Sequence, residues 1–371
     1  MRPTRSPWLA ASSALFFGLL LAVAACAETR PHYGGTLRIQ TQAAIFSLAP
    51  LARNDPNGVL LRQVWRLVYD SDPAGEVAPP KQDGPFRVLD LVPGIKLTLA
   101  ANEERAGGRP FLDRIEILMA QPPREQMVAL QLGRADVIDV PAEAMRRASQ
   151  EGVRWVASSP IELVAIFFSA NSDARVREAI SLAVDRAAIF NVLLGRQGEP
   201  TAALLPDWMT GYGFLFDAGQ NVTRARQLAV DAGRARPITL GYDPKDALAR
   251  AIVERIALDA RAAGLNIVPG SLASADGGLM RIRLSDEDPR GALVGLAATL
   301  GPSTAPATPN DPQALYQSER KLRDELRAVP LLHLPVAYGV APRVKGWTPG
   351  RAGAWSLADV WLEQQQKEQK P

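Results

Sequence analysis

Few side chains in this 371-residue chain have the type and spacing for bond chemistry. Ser318 and Lys321 stand in an S-x-x-K arrangement, the spacing that sets a serine hydroxyl beside a lysine amine in penicillin-binding enzymes. No S-D-N or K-T-G accompanies them, and "ALYQSERKLRDELRA" reads as a charged helix with a solvated face. The two histidines lie in unlike contexts, His32 near the N-terminal segment and His333 inside an apolar strand, so they imply no shared metal site. His333 reads as a core histidine with a hydrogen-bonded ring. "SDEDP" at 285–289 holds three acids without the spacing or the glycine of a calcium loop, and reads as a turn. G-x-S-x-G, Walker A and C-x-x-C are absent. Neither an enzyme, nor a metal site, nor a resident cofactor is expected.

The single cysteine points to a different chemistry. Arg2 and Arg5, with no acid near them, precede an apolar run over 8–25 and then small residues, the layout of a secretory signal peptide. Val23, Ala24 and Ala25 run directly into Cys26, which resembles the bacterial lipobox. The resemblance implies that residues 1–25 are removed, that Cys26 is lipidated and anchors the chain to a membrane, and that 26–32 form a tether. An uncleaved anchor is the alternative, since the apolar run is just long enough to span a bilayer. Either reading puts the rest of the chain outside the cytoplasm, in the periplasm or at the cell surface, without internal disulfides.

Without residues 1–25 the chain carries 40 basic and 39 acidic side chains, so charge gives no reason to expect nucleic acid as a partner. The elements that follow alternate. "GGTLRIQTQ" predicts a first strand with Leu37, Ile39 and Thr41 on one side, and residues 59–68 a helix. "PFRVLDLVPGIKLTLAANE" predicts two strands joined at Pro93-Gly94. "DRIEILMA" predicts another strand, and a helix from Pro123 closes at Gly133. "SDARVREAISLAVDRAAIFNVLLG" sets Val176, Ile180, Ala183, Val184 and Ala187 on one face, with Ser172 or Asp173 as N-cap, Asp185 capping a second helix and Gly195 as the stop. A helix over 223–232 follows, and another over 245–263 carries Leu248, Ile252, Ile256 and Ala260 in one stripe. "LMRIRLSD" predicts a strand, "GALVGLAATLG" a strand or short buried segment, and "VPLLHLPVAYGVA" an apolar strand. Residues 362–371 read as a disordered tail. Strands alternating with helices give the α/β class.

Several of these pieces, in order, resemble the family 5 solute-binding proteins of ABC importers, which include peptide- and nickel-binding members. They are "YGGTLRIQ", "DGPFRVLDLVPGIKLTLAANE", "GGRPFLDRIEI", "ALQLGRADVIDV", "VREAISLAVDRAAIFNVLLGRQGEPTAALLPDWMTGY", "ERIALDARAAGLNIV" and "VPLLHLPVAYGVAPRVKGW". The resemblance implies a two-lobed periplasmic-binding-protein-like (type II) fold with hinge strands crossing near 167–171 and 335–338. Lobe one is then 33–168 with a return over 337–361, and lobe two is 169–336. It implies capture of a peptide or another small solute for a membrane permease. The chain departs from the family in two places. About eight residues between Glu76 and Gly84 stand where the family carries an extra subdomain, and "LVGLAATLGPSTAPATP" replaces a pocket segment with Trp and acid. The second departure speaks against an ammonium–carboxylate pair from that segment. Together they motivate a rival reading, a member that no longer transports and serves as an envelope scaffold or sensory module.

For ligand contacts the resemblance directs attention to Gln40, Thr41 and Gln42 after the first strand, and to Asn171 at the expected hinge. Trp208, Met209 and Tyr212 follow the signature helices. These last either supply apolar and aromatic ligand surface or pack beneath their own loop.

Overall fold

The computed structural model describes residues 30–49, 58–69, 81–233, 236–284, 286–301 and 306–363. The signal segment, Cys26, most of the tether, the segment 70–80 and the tail from 364 lie outside the described residues.

Alternation in "TLRIQ" forms β1 (Thr36–Gln40), with Leu37 and Ile39 buried on one side. Next come α1 (Val59–Val68), β2 (Phe86–Val92), β3 (Lys96–Ala101) and β4 (Arg114–Leu118). Helix α2 (Pro123–Gln131) opens on proline, where a missing N–H costs nothing, and the chain leaves it through Gly133 at φ +65°. Strand β5 (Val137–Val140) and the long β6 (Trp155–Phe168) follow. Helix α3 (Ala174–Ala183) is capped by Asp173, whose carboxylate accepts from the Arg175 N–H. The single apolar face expected through Ala187 is interrupted. Val184 is extended, and Asp185 caps a new turn by accepting from the Ala188 N–H, which rotates Ala187 into solvent.

The chain then forms β7 (Glu199–Pro200), α4 (Val222–Asp231), β8 (Ile238–Tyr242), α5 (Ala247–Ala262), β9 (Ile267–Ser271) and β10 (Gly277–Arg283). It closes through α6 (Pro289–Leu300), α7 (Pro312–Glu325), β11 (Ala328–Val340), β12 (Val344–Lys345) and β13 (Trp361–Leu362). Helix α6 corrects the expectation of a strand or short buried segment for "GALVGLAATLG". Asp288 of the "SDEDP" stretch caps it, and its exposed positions Val294 and Ala298 are apolar like the buried ones, so no apolar–polar period shows in the sequence.

Among the described residues eleven strands make one mixed sheet in the order β2-β3-β4-β1-β5-β11-β6-β10-β8-β9, with β7 beside β11. The first half is β2 to β5, the second is β10, β8 and β9, and the two long antiparallel strands β11 and β6 join them. Strand β5 pairs with β11 at 337–340, and β10 pairs with β6 at 162–168. Between these attachments Pro160 faces Pro335 across the β6–β11 ladder, with register shifts on both sides of Pro335. Neither proline has an N–H to give, so the ladder is weakest where the halves meet. The exchange of neighbours in β6 thus falls at 158–161, upstream of the expected 167–171.

One core cluster is shared by both halves, running from Ile138, Val140 and Met145 through Val164 and Ile166 to Leu240 and Ile252. Other clusters among the described residues are private to one half. Leu37, Ile115, Trp347 and Trp355 belong to the first half, and Leu163, Leu293, Leu322 and Ala352 to the second.

Candidate functional site

A cavity of about 630 Å³ opens where the carboxyl ends of β1, β5 and β8 meet the junction strands. The loops leaving parallel strands diverge at these ends, so open α/β sheets bind ligands there. The first half contributes 41–43, 139–143, Val59, Leu60, Gln63 and Pro123; the second contributes Glu162, Asp243, 245–247, Arg281 and Arg283. Residues 335–338 and Trp355 complete the wall.

Asp139 is set by its neighbours. The Thr41 hydroxyl and the Gln42 N–H each donate to its Oδ2 at 2.8 Å, while its own N–H donates to Gln126, a fully buried side chain. Burial pushes the Asp139 carboxyl above its usual range, outweighing those two donors and the Arg283 charge.

Across the cavity one arginine serves several acids. Arg281 donates to Glu162 at 2.8 Å and 3.2 Å, and its Nη1 lies 3.4 Å from Asp246 Oδ2. Burial works against its charge, yet Glu162, Asp246 and Glu143 hold its pKa above the ordinary arginine value. Glu143, from the first half, is raised by burial and by the neighbouring Asp246 and Glu162, with Arg281 opposing. Its buried Oε2 has no hydrogen-bond partner. In all, Asp139, Glu143, Glu162, Asp243 and Asp246 face Lys245, Arg281 and Arg283, an excess of carboxylates. No group of three or more His, Cys, Asp or Glu is placed to hold a metal ion among the described residues.

Of the residues expected from sequence, Thr41 and Gln42 line the cavity. Gln40 ends β1 outside the lining. Asn171 is exposed in the turn after β6, beyond the neighbour exchange and away from the cavity wall. Trp208, Met209 and Tyr212 pack on the second half's private core, where the Tyr212 ring meets Phe216 and Tyr316. The Trp208 indole N–H donates to the Pro160 carbonyl at 2.6 Å, so this side chain supports the junction rather than the cavity. His333 is fully buried, with Nε2 3.0 Å from the Leu204 carbonyl and Nδ1 3.4 Å from Glu199. Ser318 bonds within its own helix to the Ala314 carbonyl, which leaves S-x-x-K a helix surface. Sequence reading missed Glu143, Glu162, Asp246, Arg281 and Arg283.

The model of bacterial extracellular solute-binding proteins, family 5 (middle), matches residues 30–302. The oligopeptide-binding protein AppA of Bacillus subtilis is 26% identical over 164 residues, covering 42% of this chain and 30% of that protein. The probable D,D-dipeptide-binding periplasmic protein DdpA of Escherichia coli is 27% identical over 135 residues, 35% of this chain and 26% of that one. The chain therefore spans less than a third of each of these two relatives. Among solved structures, the ABC transporter substrate-binding protein CtaP of Listeria monocytogenes superposes with a TM-score of 0.67 at 15% identity, covering 89% of this chain and 99% of that one. That likeness gives the fold as the two-lobed type II periplasmic-binding-protein architecture.

Proposed function

The chain belongs to the family 5 bacterial extracellular solute-binding proteins, a family of binding proteins and not of enzymes, and from that premise we propose that it is the solute receptor of an ABC importer. It takes a small solute, a short peptide among the candidates, into the cavity between the halves and presents it to a membrane permease. The observation that carries this reading is the cavity itself. It lies at strand carboxyl ends, draws its wall from both halves, and has the volume of a small-molecule site.

Lobe one is 33 to about 157 with the return over 337–361, and lobe two lies between, so that closure bends the chain at Pro160 and Pro335. Lipidation at Cys26 keeps the receptor at the membrane, on the signal-like sequence before it. Among the described residues no helix is long and apolar enough to cross a membrane.

The lining also favours a solute of one charge. Three carboxylates (Glu143, Glu162 and Asp246) share one guanidinium, and one of them keeps a buried oxygen without a donor. An ammonium or guanidinium group on the solute supplies that donor. Acid therefore reaches the cavity even though the "LVGLAATLGPSTAPATP" segment brings none.

The test is a melting-temperature screen of the purified protein against short peptides of graded charge, nickel, heme and oligosaccharides. A ligand at 100 times its Kd stabilises the fold by about 2.7 kcal/mol, a readable shift. Dose-dependent stabilisation by one class identifies the solute. A flat screen on folded protein rejects the receptor reading and favours the scaffold one.

A further inference from the structure

Beyond capture, the contacts behind the cavity assign a second role to the short segment 350–354. It leaves the first half's core and returns to it. Trp347 lies before it and Trp355 and Leu357 after it, all in that core, and the Trp355 N–H donates to Gln63 of α1 at 2.8 Å. Between these anchors Ala352 is buried in the private core of the second half. The segment is folded tightly on itself, with the Gly353 N–H donating to the Gly350 carbonyl at 2.7 Å and the Gly350 N–H to the Ala354 carbonyl at 2.9 Å.

Side chains of the second half grip it at three places. Arg283 Nη2 donates to the carbonyls of Ala352 at 2.8 Å and Gly353 at 3.1 Å. Glu287 accepts from the Ala352 N–H at 3.2 Å. Arg351 lies over the Trp208 ring, 5.2 Å from its centre, and Trp208 in turn holds the Pro160 carbonyl. Gly353 is required for this fit, since it sits at φ +73° and a Cβ there would come within 2.5 Å of Arg283 Nη2.

We propose that residues 350–354 are a strap that restrains the two halves against twisting and over-opening about their junction, and that Arg283, Glu287 and Trp208 are its catches. The geometry explains why such a part is needed. The ladder between the halves is broken at Pro160 and Pro335, so the sheet alone leaves their relative orientation soft. The two junction strands and the shared core join the halves, and a further tie beside them resists twist, so motion is confined to opening and closing. Arg283 also lines the cavity, so the catch is part of the wall that a solute touches.

The experiment is double electron–electron resonance on the full chain, with spin labels at Gln131→Cys in α2 and Arg261→Cys in α5, both exposed, and Cys26→Ser removing the native thiol. The proposal predicts one narrow distance distribution with the catches intact. Arg283→Ala and Gly353→Ala broaden it and shift it outward by several ångströms, while Glu287→Ala and Arg351→Ala do so to a smaller extent. Because Glu287 and Arg351 are exposed, those two variants keep their melting transitions even if the first pair does not. An unchanged narrow distribution in folded Glu287→Ala and Arg351→Ala overturns the strap. The result is independent of solute, so it stands or falls apart from the receptor reading.

Discussion

Two buried acidic sites, at opposite ends of β5, are handled in opposite ways. Asp136, whose side chain is 1% exposed, receives five donors. They are the Arg38 N–H and guanidinium at 2.9 to 3.1 Å and the Arg343 guanidinium at 2.7 and 2.8 Å. Burial alone would raise its pKa, but the two arginines hold it below the usual carboxylate range. In the cavity, by contrast, Glu143, Glu162 and Asp246 share Arg281, and Glu143 is pushed up. The first arrangement closes the protein's own charge account and ties β1 to β5 and to the chain after β11. The second leaves Glu143 Oε2 without a hydrogen-bond partner, the opening that the proposed receptor role uses. On that proposal the contrast separates a charge kept for stability from one kept for binding.

The largest effect that sharpens this contrast is on Asp136. Asp136→Ala strands two arginines and should cost about 3 kcal/mol in urea unfolding, the low end for a broken buried pair because both guanidinium groups are about one-third exposed. Its pH signature has a fixed sign. With the folded pKa depressed, the stabilisation is present above the ordinary aspartate value and is lost as pH falls through the lowered one, so Asp136→Asn flattens the acid limb.

Glu319 in α7 offers an intermediate case. It is fully buried, and its Oε1 accepts from the N–H groups of Leu204 and Leu205 at 2.7 and 3.0 Å. Glu319→Ala leaves both donors unpaired and should cost about 2 kcal/mol. Burial raises the Glu319 pKa, so its contribution is complete below the ordinary glutamate value and fades as pH rises through the raised one. Glu319→Gln keeps an acceptor for the two N–H groups and should remove that slope in a melting-temperature series.

Smaller effects fall in the cavity. Glu143→Gln should leave stability unchanged or slightly higher, yet weaken a cationic solute about tenfold, about 1.4 kcal/mol, by calorimetry. Thr41→Val removes one donor from Asp139 and should change affinity only a few-fold, about 0.5 to 1 kcal/mol. If Thr41→Val unfolds the protein while Asp136→Ala does not, the assignment of structural and binding roles is reversed.

Particular residues show what the sequence could reveal. Helix α5 was legible because Leu248, Ile252, Ile256 and Ala260 recur at helical spacing behind the Asp246 cap, and all four are buried. Helix α6 was not, since an element apolar on every side has no period. Thr41 and Gln42 were readable as the residues that follow the first strand, and they line the cavity. Glu162 and Arg281 were not, because a lone charge between apolar neighbours in "PIELVA" and "LMRIRL" reads as the solvated side of a strand. Only the pairing of β10 with β6 brings them together. Residues 208–212 stayed open between two readings for the converse reason. Aromatic side chains serve a core as well as they serve a ligand, and here the rings of Phe216 and Tyr316 claim Tyr212.

The most direct measurement is calorimetric titration, at a series of pH values from neutral downward, of a lysine-containing dipeptide against its alanine counterpart, on the native protein and on Glu143→Gln. The account predicts at least tenfold tighter binding of the lysine form. That preference should fall as the pH drops into the raised range where empty Glu143 takes up a proton, and Glu143→Gln should lack it. Equal affinities, or a preference that survives in Glu143→Gln, would contradict the claim that the unpaired carboxylate of the cavity recognises the solute.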